Sequence, residues 1–118
     1  MKLLKNSLLC LILSSTFFSS AFAEKFDISQ KIEIDASRQA ADLKNKIFSY
    51  IDNVVITQGS LIIRADIVQV LTQSGSVEKT YIAKGKPAMF KQTLADGTPL
   101  NLQADEIRYE PGNNLVII

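Results

Sequence analysis

Leu61-Ile62-Ile63-Arg64-Ala65-Asp66 places apolar side chains at alternate positions and closes on a small residue and an acid. The same phrase stands at Ile32-Glu33-Ile34-Asp35-Ala36-Ser37 and at Leu100-Asn101-Leu102-Gln103-Ala104-Asp105. A period of two sends residues of one parity to one face of a strand. One such unit cannot bury its apolar face without neighbours, so the repetition predicts a single β unit laid down several times and stacked on itself. The expectation is a built surface, not a site on a scaffold.

The residues just beyond two of these copies change phase. Leu61, Ile63 and Ala65 are odd, whereas the next apolar residues, Val68 and Val70, are even; Leu100 and Leu102 likewise give way to Ile107 and Tyr109. A strand cannot change phase unless it bends or takes a bulge. Ala-Asp therefore reads as a corner that lets one long strand serve two sheets. The acid at the corner is read as a partner for backbone N–H groups, not as a catalytic residue.

Outward from these copies, alternation continues in short runs: Lys31 to Ala36, Ile47 to Ile51, Asn53 to Gln58, Leu61 to Leu71, Val77 to Ala83, Ala88 to Thr93, Leu100 to Tyr109 and Leu115 to Ile118. Turn residues separate them at Gln58-Gly59-Ser60, Gln73-Ser74-Gly75-Ser76, Gly85-Lys86-Pro87, Ala95-Asp96-Gly97 and Pro111-Gly112-Asn113-Asn114. Only Ser37 to Lys46 has a helix-compatible mix, short and uncapped. Many short strands with regular turns predict an antiparallel sandwich, barrel or solenoid.

The start of the chain is set apart. Met1-Lys2-Leu3-Leu4-Lys5 is basic, Leu8 to Phe18 is apolar but interrupted by Ser14, Ser15 and Thr16, and Ala21-Phe22-Ala23 supplies small residues. That order predicts a secretory leader over residues 1–23, cleaved after Ala23, because the apolar run falls short of the roughly 20 residues that span a bilayer. Cys10, the sole cysteine, leaves with it, so residues 24–118 hold neither a disulfide nor a thiolate metal site. With 13 basic against 12 acidic residues and Lys2 and Lys5 in the leader, no basic stripe remains to recruit nucleic acid. One small domain is expected, incomplete at its C-terminal end, where the chain closes on Leu115-Val116-Ile117-Ile118 without a turn or polar tail.

Enzyme chemistry finds little support. Histidine is absent, which removes the commonest general base and metal ligand. Asp35, Asp66 and Asp105 would make a carboxylate set, but they recur at repeat-equivalent positions and read as structural. No serine stands in a nucleophile elbow and no glycine-rich loop follows a strand. The chain is read as a non-enzyme without cofactor or metal.

Asp52-Asn53-Val54-Val55-Ile56-Thr57-Gln58-Gly59 running into Leu61 to Asp66, followed by Gly85-Lys86-Pro87-Ala88-Met89-Phe90, resembles the OstA-like domain family of periplasmic lipopolysaccharide transport proteins. The likeness spans about Ile32 to Ile118. It implies an open-ended twisted β-jelly roll, copies joined head to tail into a bridge between the inner-membrane and outer-membrane components of that machinery, and lipopolysaccharide as cargo. Strand addition at an open roll's edges fits such assembly. Acyl chains would lie between the two sheets, where each methylene removed from water is worth about 0.8 kcal/mol.

The lining that this implies is Ile32, Ile34, Leu61, Ile63, Phe90, Leu100 and Leu102. Alternating apolar residues of this kind also simply fill cores. Ile32, Ile34 and Phe90 stand out because they lie where strands reach the open end and mouth. A self-associating structural β protein of the envelope, and a monomeric carrier of a smaller lipid, are the alternative readings.

Overall fold

Among the described residues the backbone forms seven strands: β1 (Glu33–Asp35), β2 (Arg38–Asp42), β3 (Ile47–Gln58), β4 (Leu61–Thr72), β5 (Lys79–Thr93), β6 (Pro99–Glu110) and β7 (Leu115–Ile117). The computed structural model describes residues 27–72, 75 and 77–118. The expected leader lies outside the described residues, as do Gln73, Ser74 and Ser76 of one expected turn. Every pairing is antiparallel, in the order β1-β3-β4-β5-β6-β7, with β2 also on β3.

The corners inferred from changes of phase are present as breaks in register. Pairing shifts between Ile51 and Val54, between Arg64 and Ile67, and between Lys84 and Ala88. These breaks fall in one line across the sheet, since Ile51, Ile67, Lys84 and Glu106 are successive partners on one side of it. The sheet folds along that line into two facing halves, an all-β, open-ended twisted jelly roll. The first half holds β1 and residues 54–58, 61–65, 88–93 and 99–104. The second holds β2, residues 47–51, 67–72, 79–84 and 106–110, and β7.

Local chemistry explains the line. Asp52 and Asn53 take φ of 66° and 52°, a region that Asp and Asn tolerate better than other side chains. The chain crosses between halves beside them: Ser37 N–H donates to the Asp52 carbonyl at 3.0 Å and Arg38 pairs with the Asp52 carboxylate at 3.0 Å. Ala36, Ala65, Ala88 and Ala104 face the core next to the fold line, where larger side chains would hold the halves apart.

Three expectations change. Ile47 to Ile51 and Asn53 to Gln58 are one strand, not two, and so are the runs on either side of Gly85-Lys86-Pro87. Residues that read as turns are corners within long strands, because pairing resumes on the same neighbours beyond them. The helix-compatible stretch holds β2 and a turn in which the Asp42 carboxylate accepts from Lys44 and Asn45 N–H. β2 is exposed throughout, so it carries no alternation; the unpaired backbone of β3 imposes the strand. A short helical turn at residues 27–29 has no counterpart in the sequence pattern.

Apolar faces of both halves meet inside. Val54, Ile56, Leu61, Ile63, Val68, Phe90 and Ile107 are at most 1% exposed. Each such side chain contributes about 1.5–3 kcal/mol by leaving water.

Candidate functional site

Between the halves, away from this packed centre, lies a cleft of about 240 Å³. Ile32 and Ile34 wall it from the first half, Phe48, Tyr50, Val70 and Tyr81 from the second, and Gln39 and Lys79 complete it. Period two explains the selection: Phe48 and Tyr50 share the inward parity of β3, as Val70 does on β4 and Tyr81 on β5. Ile34 is held opposite Ile56 by the β1–β3 pairing.

The cleft joins the core through aromatic side chains. Tyr81 and Tyr109 have ring centroids 6.2 Å apart, and Phe90 meets Tyr109 edge-on at 6.4 Å. Such pairs add to the area they bury. Phe90, Leu61 and Ile63 are completely covered, whereas Ile32, Ile34, Leu100 and Leu102 are partly exposed and pack against the core from outside it. Leu102 is the cross-strand partner of Phe90. The expected lining thus divides into an accessible set and a buried set. Phe48, Tyr50, Val70 and Tyr81 were missed as lining, although Phe48 and Tyr50 keep the inward parity of Val54 and Ile56 on β3, and Val70 and Tyr81 follow the change of phase on β4 and β5.

A polar assembly stands at the β3–β4 turn, on the side of the sheet away from the fold line. Asp27, 2% exposed, accepts from the Ser60 backbone N–H at 2.7 Å, the Ser60 hydroxyl at 2.5 Å and the Gln92 amide at 3.2 Å. Gln58 donates its amide to the Ile28 and Gln30 carbonyls, each at 3.1 Å, and accepts from the Tyr109 hydroxyl. Residues 27–30 are thereby stitched to the β3–β4 turn. Gly59 is required there, with φ of 60° and Asp27 Oδ1 standing against the place a Cβ would take. Burial, then the Asp27 carboxylate and Tyr81, push the Tyr109 hydroxyl up to about 12. Burial followed by Tyr50 raises that of Tyr81.

The cleft's walls combine apolar side chains with the polar groups of Gln39, Lys79 and the two tyrosines. Asp66 and Asp105 stand exposed at the fold line and Asp35 is exposed on β1. Among the described residues no group of three or more His, Cys, Asp or Glu could hold a metal ion.

Comparisons agree with a lipid-handling roll. The family model described as "LptA/(LptD N-terminal domain) LPS transport protein" matches residues 33–118. The chain is 36% identical over 120 residues to the lipopolysaccharide export system protein LptA of Haemophilus influenzae, aligning all of itself with 70% of that protein. Against the protein of the same name from Escherichia coli K12 it is 34% identical over 123 residues, covering 66%. Among solved structures it resembles LptH of Pseudomonas aeruginosa, the LptA-homologous periplasmic component of a lipopolysaccharide transport device. That match has a TM-score of 0.67 and 27% identity, over 77% of this chain and 63% of the other. The chain therefore spans about two thirds of the length of these relatives. With its fold line, apolar interior and matched residues 33–118, this chain belongs to the LptA/(LptD N-terminal domain) family of lipopolysaccharide transport proteins.

Proposed function

We propose that this protein binds lipopolysaccharide in the periplasm and passes it along a head-to-tail bridge of copies between inner-membrane and outer-membrane partners, with no catalytic step. The observation that carries the reading is the cleft between the two halves, walled by Ile32 and Ile34 on one side and by aromatic residues on the other. Acyl chains enter there, and sugars and phosphates stay in water. About 0.8 kcal/mol per buried methylene makes an apolar lining sufficient without strong polar contacts. Chains that go deeper must part the halves, since Leu61, Ile63 and Phe90 touch no solvent at rest. Export follows cleavage after Ala23, and the strand edges at the two ends of the roll serve the assembly.

A photo-crosslinking residue at Ile34, and separately at Phe90, tests the reading in cells making lipopolysaccharide. Lipopolysaccharide adducts are expected from both, and none from Arg64 on the outer face. Absence of an adduct at Ile34 in folded, exported protein would sink the proposal and favour a purely structural role. A closed carrier of a smaller lipid would give adducts of low mass and a size that does not change with concentration.

A further inference from the structure

The outer faces of the two halves differ. On the first half, Val55, Ile62 and Met89 are interleaved with Thr57, Arg64, Lys91, Asn101 and Gln103. On the second, the outward positions include Ile47 and Ile51 of β3, Ile67 and Leu71 of β4, Ile82 of β5, and Leu115 and Ile117 of β7, with Ser49, Gln69 and Thr80 among them. Ile67 is 39% exposed, Leu115 42% and Ile117 44%. Ile67-Val68-Gln69-Val70-Leu71 carries aliphatic residues at both parities, so its outward side is apolar as well as its inward side. Nothing in the fold of one copy covers this face among the described residues, and contiguous apolar patches mark association surfaces.

Charge identifies what covers it. The charges among these aliphatic residues are Lys84 beside Glu106, at 3.9 Å, Arg108 beside Glu110, at 3.9 Å, and Arg38 and Asp42 of β2, the cross-strand partners of Ile51 and Ile47. The patch is balanced, so it has no attraction for an anionic lipid surface, which draws on an excess of Lys and Arg. It is also self-complementary. Across the strands, one row runs Ile67, Lys84, Glu106 and the next Gln69, Ile82, Arg108, Ile117. A two-fold axis along the strands between β5 and β6 exchanges β5 with β6 and β4 with β7. It sets each Lys84 over the partner's Glu106, Ile82 over the aliphatic stem of the partner's Arg108, and Gln69 over the partner's Ile117. Lys84 and Glu106 side chains are both about half exposed or more, free to re-pair across such an interface.

We propose that the outer face of the second half is a side-to-side interface with a second copy of this chain, closed by a two-fold axis. An isologous contact of this kind stops at two copies, unlike end-to-end assembly, which propagates. The strand edges stay free, so two bridges could run side by side.

The test uses the full chain with Cys10→Ser and the pair Gln69→Cys/Ile117→Cys, treated with a short bis-maleimide. Within one copy these positions are three strands apart, about 14 Å at the usual spacing, and a covalent dimer requires a second copy. The expected result is a dimer band at least several-fold stronger than from Arg64→Cys/Gln103→Cys on the other outer face. Lys84→Glu and Glu106→Lys, each made alone in the reporter pair, should cut the yield several-fold, and the two together should restore it. Equal yields from both faces, no recovery in the double charge swap, or a dimer that forms only with phospholipid vesicles present would overturn the proposal. End-to-end assembly, read separately from the growth of size with concentration, leaves the comparison unaffected.

Discussion

Tyr109 shows how much one side chain can decide. It packs against Tyr81 and Phe90, and its hydroxyl meets the Gln58 amide that holds residues 28 and 30. Its neutral form is favoured in the fold, where its pKa of about 12 exceeds the ordinary 10.0. The stability this provides is complete below about pH 10 and is lost as pH rises through about 12. Urea midpoints measured across that window should fall in the wild-type protein and stay much flatter in Tyr109→Phe. At pH 8 the same substitution should cost about 1–2 kcal/mol, because the buried Gln58 carbonyl loses its donor. Asp27→Ala, which strands the Ser60 and Gln92 donors, should cost about 1–3 kcal/mol by the same measurement.

At the scale of the strand, the fold line is where sequence and geometry must agree. Asn53 holds φ of 52°, a conformation a β-branched residue takes only with strain. Asn53→Val should therefore destabilise by about 1–2 kcal/mol in chemical denaturation, while Asn53→Gly should stay within about 0.5 kcal/mol of wild type. The exposed Arg38–Asp52 pair beside it contributes little of this, since surface ion pairs are worth about 0–1 kcal/mol. What the corner supplies is direction: it lets β3, β4, β5 and β6 each contribute to both halves.

For the molecule as a whole, the interior serves two purposes that mutation can separate. Phe90 is fully buried, so Phe90→Ala should lose about 3–5 kcal/mol whatever the cargo. Ile34 is only partly covered, so Ile34→Asn should cost about 1–2 kcal/mol in the same assay. Lipopolysaccharide binding, followed by the ligand-induced rise in melting temperature, should nonetheless fall at least tenfold in Ile34→Asn. A loss of binding confined to Phe90→Ala would move the entry point into the core.

The sequence by itself determined the strand character, the inward parity and two of the corners, because a side-chain period of two and its changes of phase are local properties of the backbone. Leu61-Ile62-Ile63-Arg64-Ala65-Asp66 states its buried face and its bend without reference to anything else. Only tertiary structure decided that β2 is a strand, since its exposed residues have no pattern and take their conformation from pairing with β3. It alone also decided that Gly85-Lys86-Pro87 is a corner and that Asp27 lies against Ser60 and Gln92. The division of the expected lining, with Ile32 and Ile34 at a cleft and Leu61, Ile63 and Phe90 sealed within, likewise came from the fold. Which apolar residues meet solvent depends on how far two halves of one sheet close upon each other, and no single strand encodes that distance.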